Sequence, residues 1–215
     1  MPTAGSITPV ADLSAVVQTH PVANPDADDF EPDGTWYGLV AMRGDFHATE
    51  PNHQKLDRIT PDGHIIRVVH LSTRWVAPAN WQGPTGIVDH CTTIVDTLGS
   101  FPVRPGTQTL YTITPSGQVA AVASVLTTVL GVAFDARGRL YALQTDTVAG
   151  FPGPVAGSGQ VVRMNDDGAL TTIGSGLTFP TALTVGADGA LYVANIGFGV
   201  PVPGAGQIVR IEVPM

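Results

Sequence analysis

The stretch Pro180 to Arg210, PTALTVGADGALYVANIGFGVPVPGAGQIVR, holds two short apolar runs around Ala187-Asp188-Gly189, then a Gly/Pro loop, then a third run ending Ile208-Val209-Arg210. Each run is too short for a stable helix and is rich in Val, Leu, Ile and Tyr. The unit therefore reads as strand, tight turn, strand, long loop, strand.

Working outward, the same unit recurs upstream. Turn tripeptides Pro61-Asp62-Gly63, Pro115-Ser116-Gly117, Ala136-Arg137-Gly138 and Asp166-Asp167-Gly168 each separate two runs of this kind. The first-strand positions Gly38, Gly86, Gly131 and Ala182 stand 48, 45 and 51 residues apart. Four short strands at that period are the signature of a propeller blade, which cannot bury both faces alone and must stack on its neighbours. The sequence thus predicts an all-β propeller forming a single domain over 1–215, with four visible blades at about 37–71, 84–124, 130–174 and 180–213. The last unit stops after its third strand. Residues 5–13, GSITPVADL, read as the strand that completes it and closes the ring, removing an edge that would invite aggregation. A short helix over 15–18 follows, started by Asp12 and Ser14.

Composition limits the partners. The 215 residues include 25 Gly and 18 Pro against a single lysine, Lys55, a turn-rich balance that fits a β protein. A formal charge of −8 argues against nucleic acid or an anionic membrane as partner, because both require clustered Lys and Arg. The lone Cys91 excludes an intrachain disulfide framework and fits no zinc spacing. No run of about 18 apolar residues occurs, so no membrane-inserted helix is expected. The start, MPTAGSITPVADL, has neither the charged nor the apolar region of a secretion signal.

With the units laid out, the chain resembles the ScyD/ScyE family of secreted, NHL-like β-propeller proteins. The resemblance is carried by Val10-Ala11-Asp12-Leu13 with Asn24-Pro25-Asp26, by Glu50-Pro51-Asn52-His53 before Leu56-Asp57-Arg58-Ile59, and by the stretch from Thr127 to Asp135. Phe179-Pro180-Thr181-Ala182 and Asp188-Gly189-Ala190-Leu191-Tyr192-Val193 complete it. It implies a secreted or periplasmic protein of about six blades, of which this chain matches the C-terminal part without the leading blades and signal. It implies no particular reaction.

Four polar residues align at the ends of the second strands: Glu50, Thr97, Gln144 and Asn195. Around a closed ring they converge on the central channel at the rim bearing the long loops. Propellers of the gluconolactonase and paraoxonase type hold calcium with similar oxygen donors, and hard cations need such ligands. Glu50 and Asn195 are then the candidate metal ligands. On the other reading all four line a watered channel and satisfy backbone groups. The acidic run Asp26 to Asp33 fails as an EF-hand loop, since the twelfth position counted from Asp29 is Val40 rather than a bidentate Glu. His47, Glu50 and His53 are three apart, but on a strand His47 and Glu50 face opposite ways. No nucleophile elbow or phosphate loop occurs. Phe101, Phe151 and Phe198 each sit in one of three long Gly/Pro loops, where the rings either cover the channel or form an apolar platform for a ligand.

The expected function is non-catalytic: binding or scaffolding of a small molecule or a protein at the long-loop rim, without a cofactor. The alternative is a calcium-dependent lactone or ester hydrolase.

Overall fold

A computed structural model describes residues 8–21, 36–51, 53–70, 103–150, 153–199 and 204–214, and the backbone alone at 84–90 and 92–97. Fifteen strands among these residues form four antiparallel sheets, each a meander. Blade 1 contains β1 (Leu39–Met42), β2 (Asp45–Glu50), β3 (Lys55–Ile59) and β4 (Ile65–His70). Blade 2 contains β5 (Pro84–His90), β6 (Thr92–Thr97), β7 (Gln108–Ile113) and β8 (Val119–Leu126). Blade 3 contains β9 (Val129–Phe134), β10 (Leu140–Gln144), β11 (Gly159–Met164) and β12 (Leu170–Leu177). Blade 4 has three strands, β13 (Ala182–Val185), β14 (Leu191–Asn195) and β15 (Gln207–Ile211). Consecutive blades pack through their first two strands, the arrangement of a β-propeller.

The five turn tripeptides share one backbone geometry. In each, the N–H of the glycine donates to a carbonyl three residues back, and the residue before the tripeptide donates to the carbonyl of the residue just after the glycine. The glycines Gly63, Gly117, Gly138, Gly168 and Gly189 have φ between +76° and +91°. This is a type I turn closed by a left-handed glycine, the three-residue hairpin solution that suits strand twist. The β1–β2 turn is tighter, two residues with φ of 54° at Arg43 and 90° at Gly44.

The blade junctions carry the core. Leu110, Leu126, Val129 and Leu140 are buried between blades 2 and 3, and Tyr141, Leu143, Val161, Leu191 and Val193 between blades 3 and 4. Strand alternation explains this: β10 is buried at every position because neighbours cover both of its faces.

The closing strand expected over 5–13 is not formed at its described residues. Residues 8–12 are not in a strand, Leu13 opens the helix α1 (Leu13–Thr19), and residues 5–7 lie outside the described residues. Asp12 caps α1, its carboxylate accepting from the N–H of Ser14 at 3.1 Å and of Ala15 at 3.4 Å. A helix N-cap needs an extended residue followed at once by helical dihedrals, so Asp12 ends any strand at its own position. The segment packs instead on blade 1: the Val10 carbonyl closes on Gly63, just as the Val68 carbonyl of β4 closes on Gly117 of blade 2. Among the described residues β15 therefore pairs only with β14, and Ile208 on it is 72% exposed.

One strained position has a repeat-mate that relieves the same strain. Val125, 73% exposed, has φ of 64°, while the corresponding position of the next blade is Gly176 at φ of 81°. A β-branched residue there costs roughly 1–2 kcal/mol, against roughly 0.5–1 kcal/mol of entropy for a glycine. Val125→Gly is expected to leave stability unchanged or raise it by up to about 1 kcal/mol, read from the urea midpoint; a loss greater than that counts against the repeat equivalence.

Candidate functional site: the long-loop rim

β10 and β14 end at the rim in Gln144 and Asn195, 3% and 9% exposed. The Gln144 side-chain oxygen accepts from the backbone N–H of Thr127 at 2.6 Å, and that of Asn195 accepts from Thr178 N–H at 2.8 Å. Both acceptors lie 17 residues after their donors. The residue following each donor is left-handed, Thr128 at φ of 39° and Phe179 at φ of 46°. The chain thus enters blades 3 and 4 through a strained corner, and the amide at the end of the second strand latches it. Thr127 and Thr178, each 17 residues before its latching amide, are the sequence signal for this latch.

In blade 1 the corresponding carboxylate, Glu50, is fully buried. Its Oε2 accepts from the N–H of His53 at 2.7 Å and lies 2.8 Å from the His53 ring Nδ1. The pair spans a β2–β3 connection of only residues 51–54. His47 lies on the opposite face of the sheet, as strand alternation requires. Thr97 ends β6 opposite Pro84. Gln144 and Asn195 thus bond to the crossings that lead into their blades, and Glu50 bonds to His53 in the β2–β3 connection.

Phe198 is 40% exposed, and its ring stacks on Phe179 with centroids 5.2 Å apart and a 35° tilt. Its partner is therefore the strained corner of its own blade. Phe101 and Phe151 lie outside the described residues, as do the acidic run at 26–33 and Cys91.

Asp146, a residue not anticipated from sequence, organises the blade 3 loop. It is fully buried; Oδ1 accepts from Val148 N–H at 2.9 Å and the Ser158 hydroxyl at 2.7 Å, and Oδ2 accepts from Val155 N–H at 2.7 Å. Thr128 and Asp146 tie this loop to the corner: the Thr128 hydroxyl donates to the Asp146 carbonyl at 2.7 Å and accepts from its N–H at 2.9 Å. The long loop is pre-shaped around a buried carboxylate rather than left open. Among the described residues, no three His, Cys, Asp or Glu gather closely enough to hold a metal ion.

The fold defines the class, a β-propeller. The solved structures it is similar to include a streptogramin B lyase, at 11% identity and a TM-score of 0.53, with 90% of this chain and 57% of that one covered. A nidogen/laminin complex matches at 16% and 0.57, covering 82% and 65%. A gluconolactonase from Xanthomonas campestris matches at 14% and 0.55, covering 77% and 58%. The chain thus spans about three fifths of the length of these proteins. No family model and no curated protein matches it.

Proposed function

We propose that the chain is a binding or scaffolding propeller that engages a small molecule or a protein through its long-loop rim. One observation carries this reading: the side-chain oxygens of Gln144 and Asn195 each accept a backbone N–H, 2.6 and 2.8 Å away, and so serve the blade entries. Glu50 is the one carboxylate of the four polar residues at the second-strand ends, whereas a calcium shell draws six to eight oxygens largely from carboxylates and carbonyls, which supports the binding reading. A pre-shaped loop such as the one around Asp146 supports binding, because its ordering entropy is already met in the free protein. The ScyD/ScyE resemblance, with a secreted or periplasmic location, is the finer assignment we favour.

The rival is a calcium-dependent lactone or ester hydrolase with Glu50 and Asn195 as ligands, a reading that the gluconolactonase neighbour keeps in view. Metal analysis of the purified protein, followed by a lactone and aryl-ester panel, separates the two. The expected result is substoichiometric calcium and no turnover above background. Stoichiometric calcium with activity abolished in Glu50→Ala overturns the proposal.

A further inference from the structure

At the rim opposite the long loops, between blades 1 and 2, lies a cavity of about 280 Å³. Its apolar lining comes from Met42, Leu56, Ile66 and Ile113. Its polar lining includes Arg43 in the left-handed β1–β2 turn and Arg58 on β3. Register explains the grouping. His47 sits directly across from Arg58, and alternation puts both on the face toward blade 2 with Asp45, while Glu50, Lys55 and Asp57 occupy the other face.

The charge of this cavity runs against that of the chain. Among the described residues its lining holds three arginines, Arg43, Arg58 and Arg67, and a single carboxylate, Asp45, in a protein of formal charge −8. That carboxylate does not saturate Arg58: its Oδ2 lies 3.6 Å from Nε, beyond hydrogen-bond range. The Arg58 Nε is buried without a hydrogen-bond partner among the described residues. A buried donor without an acceptor is a standing cost that an entering anion relieves. Arg67 also borders the cavity, but its guanidinium turns toward the His20 and Pro21 carbonyls.

We propose that this cavity binds a small amphipathic carboxylate, an aryl or short alkyl acid of about a dozen non-hydrogen atoms, a size suited to a pocket at the low end of the ligand-site range. The carboxylate pairs with Arg58, and the apolar body lies against Leu56 and Ile113. The site is separate from the long-loop rim, and neither metal nor turnover measured there bears on it.

Equilibrium dialysis with 2-naphthoate and its neutral isostere 2-naphthamide tests the assignment. The acid is expected to bind at least about tenfold tighter than the amide, a difference of about 1.4 kcal/mol. Arg58→Gln is expected to remove that preference while leaving the amide unchanged. Ser116→Trp places a ring from blade 2 at the cavity mouth without altering blade 1, and is expected to abolish binding of both. It carries the test should Arg58→Gln not fold. Arg104→Gln, outside the cavity, is expected to change neither. Equal affinity for acid and amide, naphthoate binding that survives Ser116→Trp, or no binding in the millimolar range each overturns the proposal and leaves Arg58 and Asp45 as a structural ion pair.

Discussion

Lys55→Ala is expected to lower folding stability by about 3–5 kcal/mol, the range for removing one partner of a buried ion pair. Lys55 is the only lysine of the chain and is 1% exposed. Its ammonium lies 3.3 Å from Asp57 Oδ2 and 4.9 Å from the Trp36 ring centroid. Asp57 is fully buried, and among the described residues neither of its oxygens accepts a well-formed hydrogen bond, so charge rather than hydrogen-bond geometry holds the pair. Burial pushes the Asp57 carboxyl above its ordinary value, outweighing the opposing pull of Lys55. The pair is thus a site of tension, and losing the lysine leaves a carboxylate with little but desolvation.

The pH dependence follows from the direction of that shift. A carboxyl whose folded pKa is raised contributes stability below its unfolded value, near 3.8, and loses it as the pH rises through the folded value. Without Lys55 the folded value rises further, so the deficit of Lys55→Ala is expected to be full at neutral pH and to shrink on acidification toward 3.8. The double variant Lys55→Met/Asp57→Leu is expected to recover most of the loss, because a packed apolar pair needs no compensation. Urea midpoints of the three proteins across pH decide it. A Lys55→Ala loss under 1 kcal/mol, or one independent of pH, contradicts the account.

Asp135→Ala is expected to cost about 2–4 kcal/mol, from an orphaned buried hydroxyl together with lost turn and guanidinium bonds. The carboxylate accepts four bonds: from the N–H groups of Arg137 and Arg139 at 2.9 and 3.0 Å, from Arg139 Nε at 2.6 Å and from the Tyr141 hydroxyl at 3.0 Å. Tyr141 is fully buried between blades 3 and 4, so its hydroxyl has no water to turn to. Burial raises the Asp135 carboxyl, but these donors outweigh it and hold the group below its ordinary value. A lowered folded pKa contributes stability above the unfolded value near 3.8, and that contribution disappears as the pH falls through the folded one. Asp135→Asn is therefore expected to flatten the acid limb of the stability curve. Asp188 makes the analogous bonds to Tyr192 and Arg210 in blade 4 with a side chain 41% exposed, and Asp188→Ala is expected to cost much less because water replaces the lost partners.

What the sequence determined by itself was everything local and periodic. Short apolar runs with a left-handed glycine at a fixed place in each turn specify hairpins, and hairpins repeating about every 48 residues specify blades, because neither needs a distant residue to be legible. The opposite facing of His47 and Glu50 was legible for the same reason, since strand alternation has period two. Blade borders moved by only a few residues: blade 3 spans Val129 to Leu177 where 130–174 was expected. The tertiary structure decided what each polar side chain serves. Glu50, Gln144 and Asn195 have the chemistry of metal ligands and of backbone acceptors alike, and the fold around them sets Gln144 and Asn195 against backbone N–H groups and Glu50 against His53. Asp12 could end a strand or cap a helix, and the choice rests on whether the residues after it find a sheet edge or their own backbone. Arg58, Asp45 and His47 stand on two strands joined by an ordinary turn, and nothing in their spacing marks a cavity. That cavity depends on how blade 2 docks, and docking depends on side-chain shapes summed over a junction rather than on any motif.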